Sequence, residues 1–227
     1  MNDQGRWNWG LWLQWLGVCT LGDILGVPCI ALAVSLQDVT CCMNIFALGA
    51  FLGTPLAAVQ WLVIRRFSYD PGWSGWLRWT LANAIGWAAG FPIMLIFIDA
   101  VNSPFGLLDS PVSAVNPGLV ALGWLLAGLV FGVPIGVSQW HVLRAEATFA
   151  YWPHAGTVWT VGAMVGWGMS IVVLLCVSPA VKGFLDLPAV GVWASMIAGA
   201  LGGAISGAAL VWILRPPAAQ EPPAKLD

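Results

Sequence analysis

The chain has 227 residues, of which 59% are apolar and 8% charged, and its formal net charge is -2. A soluble domain carries about 25% charged residues, so these are too few to cover a water-facing surface and the natural solvent is a bilayer. The near-neutral balance gives no electrostatic footprint for nucleic acid. The partners it points to are lipid and, in a complex, other membrane proteins.

A helix needs roughly 20 apolar residues to cross the bilayer core. Six stretches reach that length. The start, MNDQGRWNWG, lacks a basic leader and runs into an apolar stretch too long for a signal peptide. The first span, 11–36, is therefore expected to stay in the mature protein. It holds Asp23, the one charged residue inside any span, and Pro28. Asp23 follows Trp15 by eight positions, roughly 12 Å at 1.5 Å per residue. A carboxyl at that depth is a functional-site candidate by default. The plainer alternative is a protonated acid hydrogen-bonded within a helix interface. Its candidate partners are Thr20, Asn44, Asn83 and an indole N–H.

The second span, 40–64, carries Gly53, Pro55, Gln60 and Trp61 and runs into Arg65. Trp61 lies one turn before Arg65, which predicts an indole at headgroup depth, apolar ring inward and N–H toward water. Arg65 reaches lipid phosphates and the last carbonyls of its helix. Gln60 lies deeper, either hydrogen-bonded across helices or lining a polar pocket. The loop RRFSYDPGWSGWLR follows and is expected to lie flat on the inner leaflet. The third span, 79–98, contains Asn83, Gly86, Gly90 and Pro92, with Asp99 beyond its outer end. The connection 99–116 is long enough to cover an outward opening of the bundle. The fourth span, 117–143, carries Gly132, Pro134, Gln139, Trp140 and His141 and ends at Arg144. A pigment ligand at His141 lacks a second helical histidine to complete a pair. The loop RAEATFAYWPHAG contains His154 and is also expected on the inner leaflet. The fifth and sixth spans are 157–181 and 187–214; the sixth carries Gly199, Gly203 and Gly207 and leads to Arg215. The proline-rich tail, 216–227, is expected to be disordered.

Five cysteines (Cys19, Cys29, Cys41, Cys42, Cys176) have no metal-ligand spacing and read as small core residues. Arg6, Arg65, Arg66, Arg78, Arg144, Arg215 and Lys225 fall on one side of the six spans, and Lys182 alone on the other. That bias predicts both termini in the cytoplasm of a bacterial inner-membrane protein.

The spans repeat. Setting Gly53 over Gly132 brings Pro55, Gln60, Trp61, Val63, Arg65 and Trp73 onto Pro134, Gln139, Trp140, Val142, Arg144 and Trp152. After one residue of slip, Trp79, Thr80, Gly86 and Trp87 fall on Trp159, Thr160, Gly166 and Trp167. Trp15, Gly22, Gly26 and Pro28 align in turn with Trp79, Gly86, Gly90 and Pro92. Gly203, Gly207 and Arg215 align with Gly132, Gly136 and Arg144. In this last copy Ile205 replaces the proline, and Leu210-Val211 replaces Gln-Trp. The expected architecture is all-α: six transmembrane helices in one domain over 1–215. They form three tandem αα-hairpins (about 11–66, 76–145 and 156–215) around a pseudo-threefold axis along the membrane normal. The glycines, spaced four apart, read as close-approach positions between helices in lipid. The matched prolines read as inherited kinks or as pointers to a binding site.

The pattern G-x-P-x4-Q-W-x-V-I/L-R followed by W-T-x5-G-W resembles a loose group of uncharacterised bacterial polytopic membrane proteins. It covers roughly residues 50 to 170 and implies no activity, cofactor or catalytic residue. Neither a zinc motif nor a nucleophile–base pair stands in the sequence, so the chain reads as non-catalytic. The first functional expectation is an accessory or scaffold subunit packing against partner proteins, lipids or pigments. The alternative is a small-molecule transporter or ligand-binding protein with a mid-membrane site of Asp23, Gln60, Asn83 and Gln139.

The arginine bias makes a topology test. A green fluorescent protein fused after residue 227 should fluoresce, and alkaline phosphatase fused after Lys182 should be active. The reverse pattern inverts the orientation.

Overall fold

The computed structural model describes residues 8–37, 45–102, 117–146, 154–177 and 188–214. Their regular structure is helical throughout: α1 (Trp9–Gln37), α2 (Ile45–Ile64), α3 (Trp73–Asn102), α4 (Pro117–Glu146), α5 (Ala155–Val177) and α6 (Pro188–Ile213). All six are long and apolar enough to cross a membrane. In lipid the backbone satisfies its own hydrogen bonds only within helices or closed barrels. These sequences take the first course. Asn8 caps α1, its side-chain oxygen accepting from the Leu11 N–H at 3.0 Å. Pro117 opens α4, where its missing N–H costs nothing. Pro28, Pro55, Pro92 and Pro134 all sit inside helices.

Each helix packs on its neighbours in the chain, and α6 closes back on α1. The bundle is a ring. One buried cluster unites the starts of α1, α3 and α5 (Leu11, Trp15, Trp79, Ala155, Trp159) with the ends of α2, α4 and α6 (Ile64, Leu143, Leu210, Ile213). Arg65, Arg66, Arg78 and Arg144 are therefore at one end of the ring, and all are exposed. Arg6, Lys182, Arg215, Lys225, the tail, Asn44, most of the connection 99–116 and most of the loop before His154 lie outside the described residues.

Glycines close all six contacts. A methyl group built on Gly22 would meet Leu56 of α2, with its Cα at 2.9 Å. One on Gly49 would lie 2.6 Å from the Trp87 carbonyl oxygen, and one on Gly53 2.6 Å from the Trp87 ring. Gly86 and Gly90 bear on Ile135 and Phe131 of α4, and Gly132 on the Met164 Cα of α5 at 2.5 Å. Gly162 faces Ala209, and Gly199, Gly203 and Gly207 face Thr20, Leu16 and Trp15. Backbones this close gain the van der Waals contact that drives association in lipid. Gly26 departs from the pattern: nothing lies within 4 Å of a methyl there. The paired reading of Gly22 with Gly26 is corrected accordingly, because α1 and α2 have parted one turn beyond Gly22.

The first arginine-side loop also differs from expectation. Its second half is helix, since α3 begins at Trp73 rather than at residue 79. Asp70 organises that start. Its carboxylate accepts from the Gly72 N–H at 3.2 Å, from the Ser74 hydroxyl and from Arg78 at 3.0 Å. The early helix covers Trp61, whose ring lies against Gly75. Trp61 is thus buried in the core rather than placed at the surface, and Trp140 is half-buried against Gly156. Trp73, 72% exposed and stacked on Trp76, is an outward-facing aromatic of this end.

Two predictions follow from these contacts. Gly132→Ala forces a methyl into the α5 backbone and should destabilise the protein by about 1–3 kcal/mol. Gly26→Ala should be neutral or stabilising by up to about 1 kcal/mol; thermal unfolding in detergent measures both. Asp70 is held below the usual carboxylate range, first by the Ser74 hydroxyl, then by the Gly72 N–H and Arg78. Its folded pKa is depressed, so its contribution is complete above the ordinary carboxylate value of about 3.9 and is lost as pH falls through the lower folded value. Acidification should loosen the Trp73–Trp76 stack, seen as a change in tryptophan fluorescence. Asp70→Asn should abolish that acid transition.

Candidate functional site

Inside the ring lies a cavity of about 40 Å³, room for a few water-sized groups at roughly 10–15 Å³ each. Five helices line it: Trp15, Cys19 and Asp23 from α1, Leu56 and Gln60 from α2, Gln139 from α4, Trp159, Trp167 and Ser170 from α5, and Gly199 and Ser206 from α6. α3 contributes from behind. Gln139 Nε2 donates to Asn83 Oδ1 at 2.8 Å, and Asn83 Nδ2 donates to the Trp79 carbonyl at 3.0 Å.

The four candidate residues Asp23, Gln60, Asn83 and Gln139 are therefore brought together, three on the cavity wall and Asn83 behind Gln139. Asp23 stands at the middle of α1, partly buried. Gly199 makes room for it: a methyl there would lie 2.9 Å from Asp23 Oδ2. Among the described residues no hydrogen-bond donor meets the Asp23 carboxyl. Of its expected partners, Thr20 donates to the Leu16 carbonyl at 2.8 Å and Asn83 is bonded as above, while an indole N–H on the same cavity, that of Trp159, makes no hydrogen bond. Asn44 is outside the described residues.

Gln60 is 4% exposed. Its Nε2 reaches Cys19 Sγ at 3.5 Å, a weak acceptor, and its Oε1 has no partner. The Trp159 indole N–H is likewise buried and unpaired. Buried polar groups are nearly always hydrogen-bonded, so orphans on one cavity wall mark a place where a ligand or water completes the set. Three other polar side chains of the wall are satisfied. Trp15 Nε1 donates to Ser206 Oγ at 2.9 Å, and Ser206 donates to the Gly202 carbonyl at 2.8 Å. The Ser170 hydroxyl is 2.8 Å from both the Gly166 and Ala198 carbonyls. Trp167 meets Trp87 and Phe131 edge to face, with centroids 4.9 and 5.1 Å away.

Sequence reasoning missed Cys19, Ser170, Ser206 and the three tryptophans as cavity residues. The serines carry no distinguishing signal, because a serine in an apolar helix commonly bonds back to the preceding turn, as both do here. Trp15 and Trp159 were visible as repeat markers, but repetition alone suggests packing. His141 is exposed, and its Nδ1 is 3.0 Å from Arg144 Nη2. Among the described residues no three His, Cys, Asp or Glu side chains group to hold a metal.

The Gln139–Asn83 bond should be worth measuring by a double-mutant cycle. Gln139→Leu leaves Asn83 Oδ1 without its donor and should cost about 1–3 kcal/mol. Gln139→Leu combined with Asn83→Leu should cost less than the two single changes added together; simple additivity would show that the pair is not coupled.

No family model matches this chain, and neither does any curated protein or solved structure.

Proposed function

We propose that this multi-pass membrane protein binds a small polar solute inside the helical ring, as a small-molecule transporter or ligand-binding protein, with Asp23 at the centre of the site. The single observation that carries this reading is the placement of Asp23. Asp23 lines the interior cavity, and it shares that cavity with the unpaired amide oxygen of Gln60. Intramembrane acids that face a cavity typically mark substrate, ion or proton paths. Asp23 is the charged anchor, Gln60 offers a second hydrogen bond, and Gln139 is held in place by Asn83. The packed tryptophans close the arginine end, which the positive-inside bias puts in the cytoplasm.

A second reading is an accessory subunit packed against partner proteins, lipids or pigments. It draws on the outer groove between α5 and α6, where Val161, Gly162, Ala208 and Ala209 leave a small-residue surface ending at Trp212.

A melting-temperature screen on the purified chain separates the two. A ligand at one hundred times its Kd stabilises the folded state by about 2.7 kcal/mol. At least one small polar solute should raise the melting temperature, and the shift should vanish in Asp23→Asn and in Gln60→Leu. A shift that survives both substitutions sinks the cavity reading. So does a panel without any shift, together with migration in native gels only as a larger complex.

A further inference from the structure

We infer that the solute of this cavity is a small protonated amine, held by Asp23 and the free end of the Gln60 amide among the indoles of Trp15, Trp159 and Trp167. The inference rests on the solute-binding reading above and names its ligand class.

Charge comes first. Asp23 is the only charged side chain on the cavity wall, and none of the lining residues is Lys, Arg or His. A carboxyl withdrawn from water is either protonated or, as a carboxylate, paired with a cation. The described residues supply no counter-ion, so a cationic ligand completes the pair. An anion would meet the same carboxylate as a like charge.

Hydrogen bonding agrees. An ammonium group is a pure donor with three N–H bonds. The acceptors left open around it are the Asp23 oxygens and Gln60 Oε1. Ser206 already donates to the Gly202 carbonyl, so it too has only lone pairs to offer. Donors remain as well, the Trp159 N–H and the second N–H bonds of the Gln60 and Gln139 amides, and the cavity has room for a water to serve them.

Aromatic lining decides between kinds of cation. Indole faces attract ammonium-type ions by cation–π interaction, most strongly when the ion is desolvated. Sodium could use the same Asp23 and Gln60 oxygens, but it is small and firmly hydrated and must give up that shell to enter a site lined by three indoles. Size sets the upper limit. A cavity of about 40 Å³ has room for a group of a few heavy atoms, which suits methylammonium or ethylammonium better than tetraethylammonium.

The test uses the full chain in lipid nanodiscs and reads tryptophan fluorescence and melting temperature together. Methylammonium, ethylammonium, tetraethylammonium and sodium chlorides are titrated at equal ionic strength, with acetamide as the neutral probe. The expected result is a saturable response to the two small amines and none to sodium or tetraethylammonium. This ranking is measured on the unaltered protein and needs no variant to fold. In Asp23→Asn the apparent affinity for methylammonium should fall about tenfold or more, the loss expected for a charged hydrogen bond. Equal responses to sodium and methylammonium, or an unchanged affinity in Asp23→Asn, overturn the inference. A response to acetamide without one to methylammonium also overturns it, while leaving the solute-binding reading in place. Silence from every probe, together with a failed solute screen, removes both.

Discussion

A closed ring of six helices has a centre that something must fill. Packed helices lie 8–10 Å apart. In a hexagon the centre is as far from each axis as the axes are from one another, so the space along it is about one helix wide. At the arginine end this chain fills that space with indoles and aliphatics. Trp15, Trp79, Trp159, Ile64, Leu143 and Leu210 are all but fully buried there. At the middle of α1 the filling changes to Asp23, Gln60 and Gln139, which do not close the gap. The plug and the cavity are two answers to one geometric demand. The glycines make the demand unavoidable, because by closing every lateral contact they leave no seam through which the centre could collapse.

Cost separates the polar residues from one another. A buried polar atom without a partner is worth about 1–3 kcal/mol of lost stability. Trp79, Trp87 and Trp159 carry such atoms, but an indole also supplies bulk that no smaller side chain provides. Gln60 has no such excuse. In the aligned span sequences Leu210 falls at the corresponding place, and it is 1% exposed. The ring therefore accepts leucine there without an orphan. Gln139 recovers its cost by holding Asn83, whereas the Gln60 amide is half used.

Much of this was readable from the chain alone, for identifiable reasons. The six spans follow from apolar length, because lipid leaves the backbone no alternative partner. The close-approach glycines follow from their spacing by fours, except at Gly26, where spacing says nothing about whether two helices have diverged. Asp23 was conspicuous because its burial is expensive. The errors share a cause. Trp61 reads as an interfacial residue only if its helix ends in open headgroup space, and the early start of α3 removes that space. That start depends on Asp70 gathering Gly72, Ser74 and Arg78, a local turn that hydropathy cannot detect. Cys19 and Ser206 were hidden differently. Each is ordinary in an apolar helix, and only the three-dimensional ring shows which face meets the centre.

Asp23 stands where two other spans, aligned by sequence, carry tryptophan. The register that aligns Trp15, Trp79 and Trp159 sets Asp23 opposite Trp87 and Trp167. In α3 and α5 those two indoles meet each other and Phe131 edge to face, filling their side of the centre. In α1 the same position holds a short acid, so one substitution both withdraws an aromatic ring from the middle of the ring and leaves a carboxyl in the space. Gly199 extends the effect, because any side chain there would collide with Asp23. A change made only to relieve crowding could have used alanine or serine, at no electrostatic cost. A carboxyl there, beside a glutamine whose amide oxygen has no partner, is what the proposed cation would satisfy.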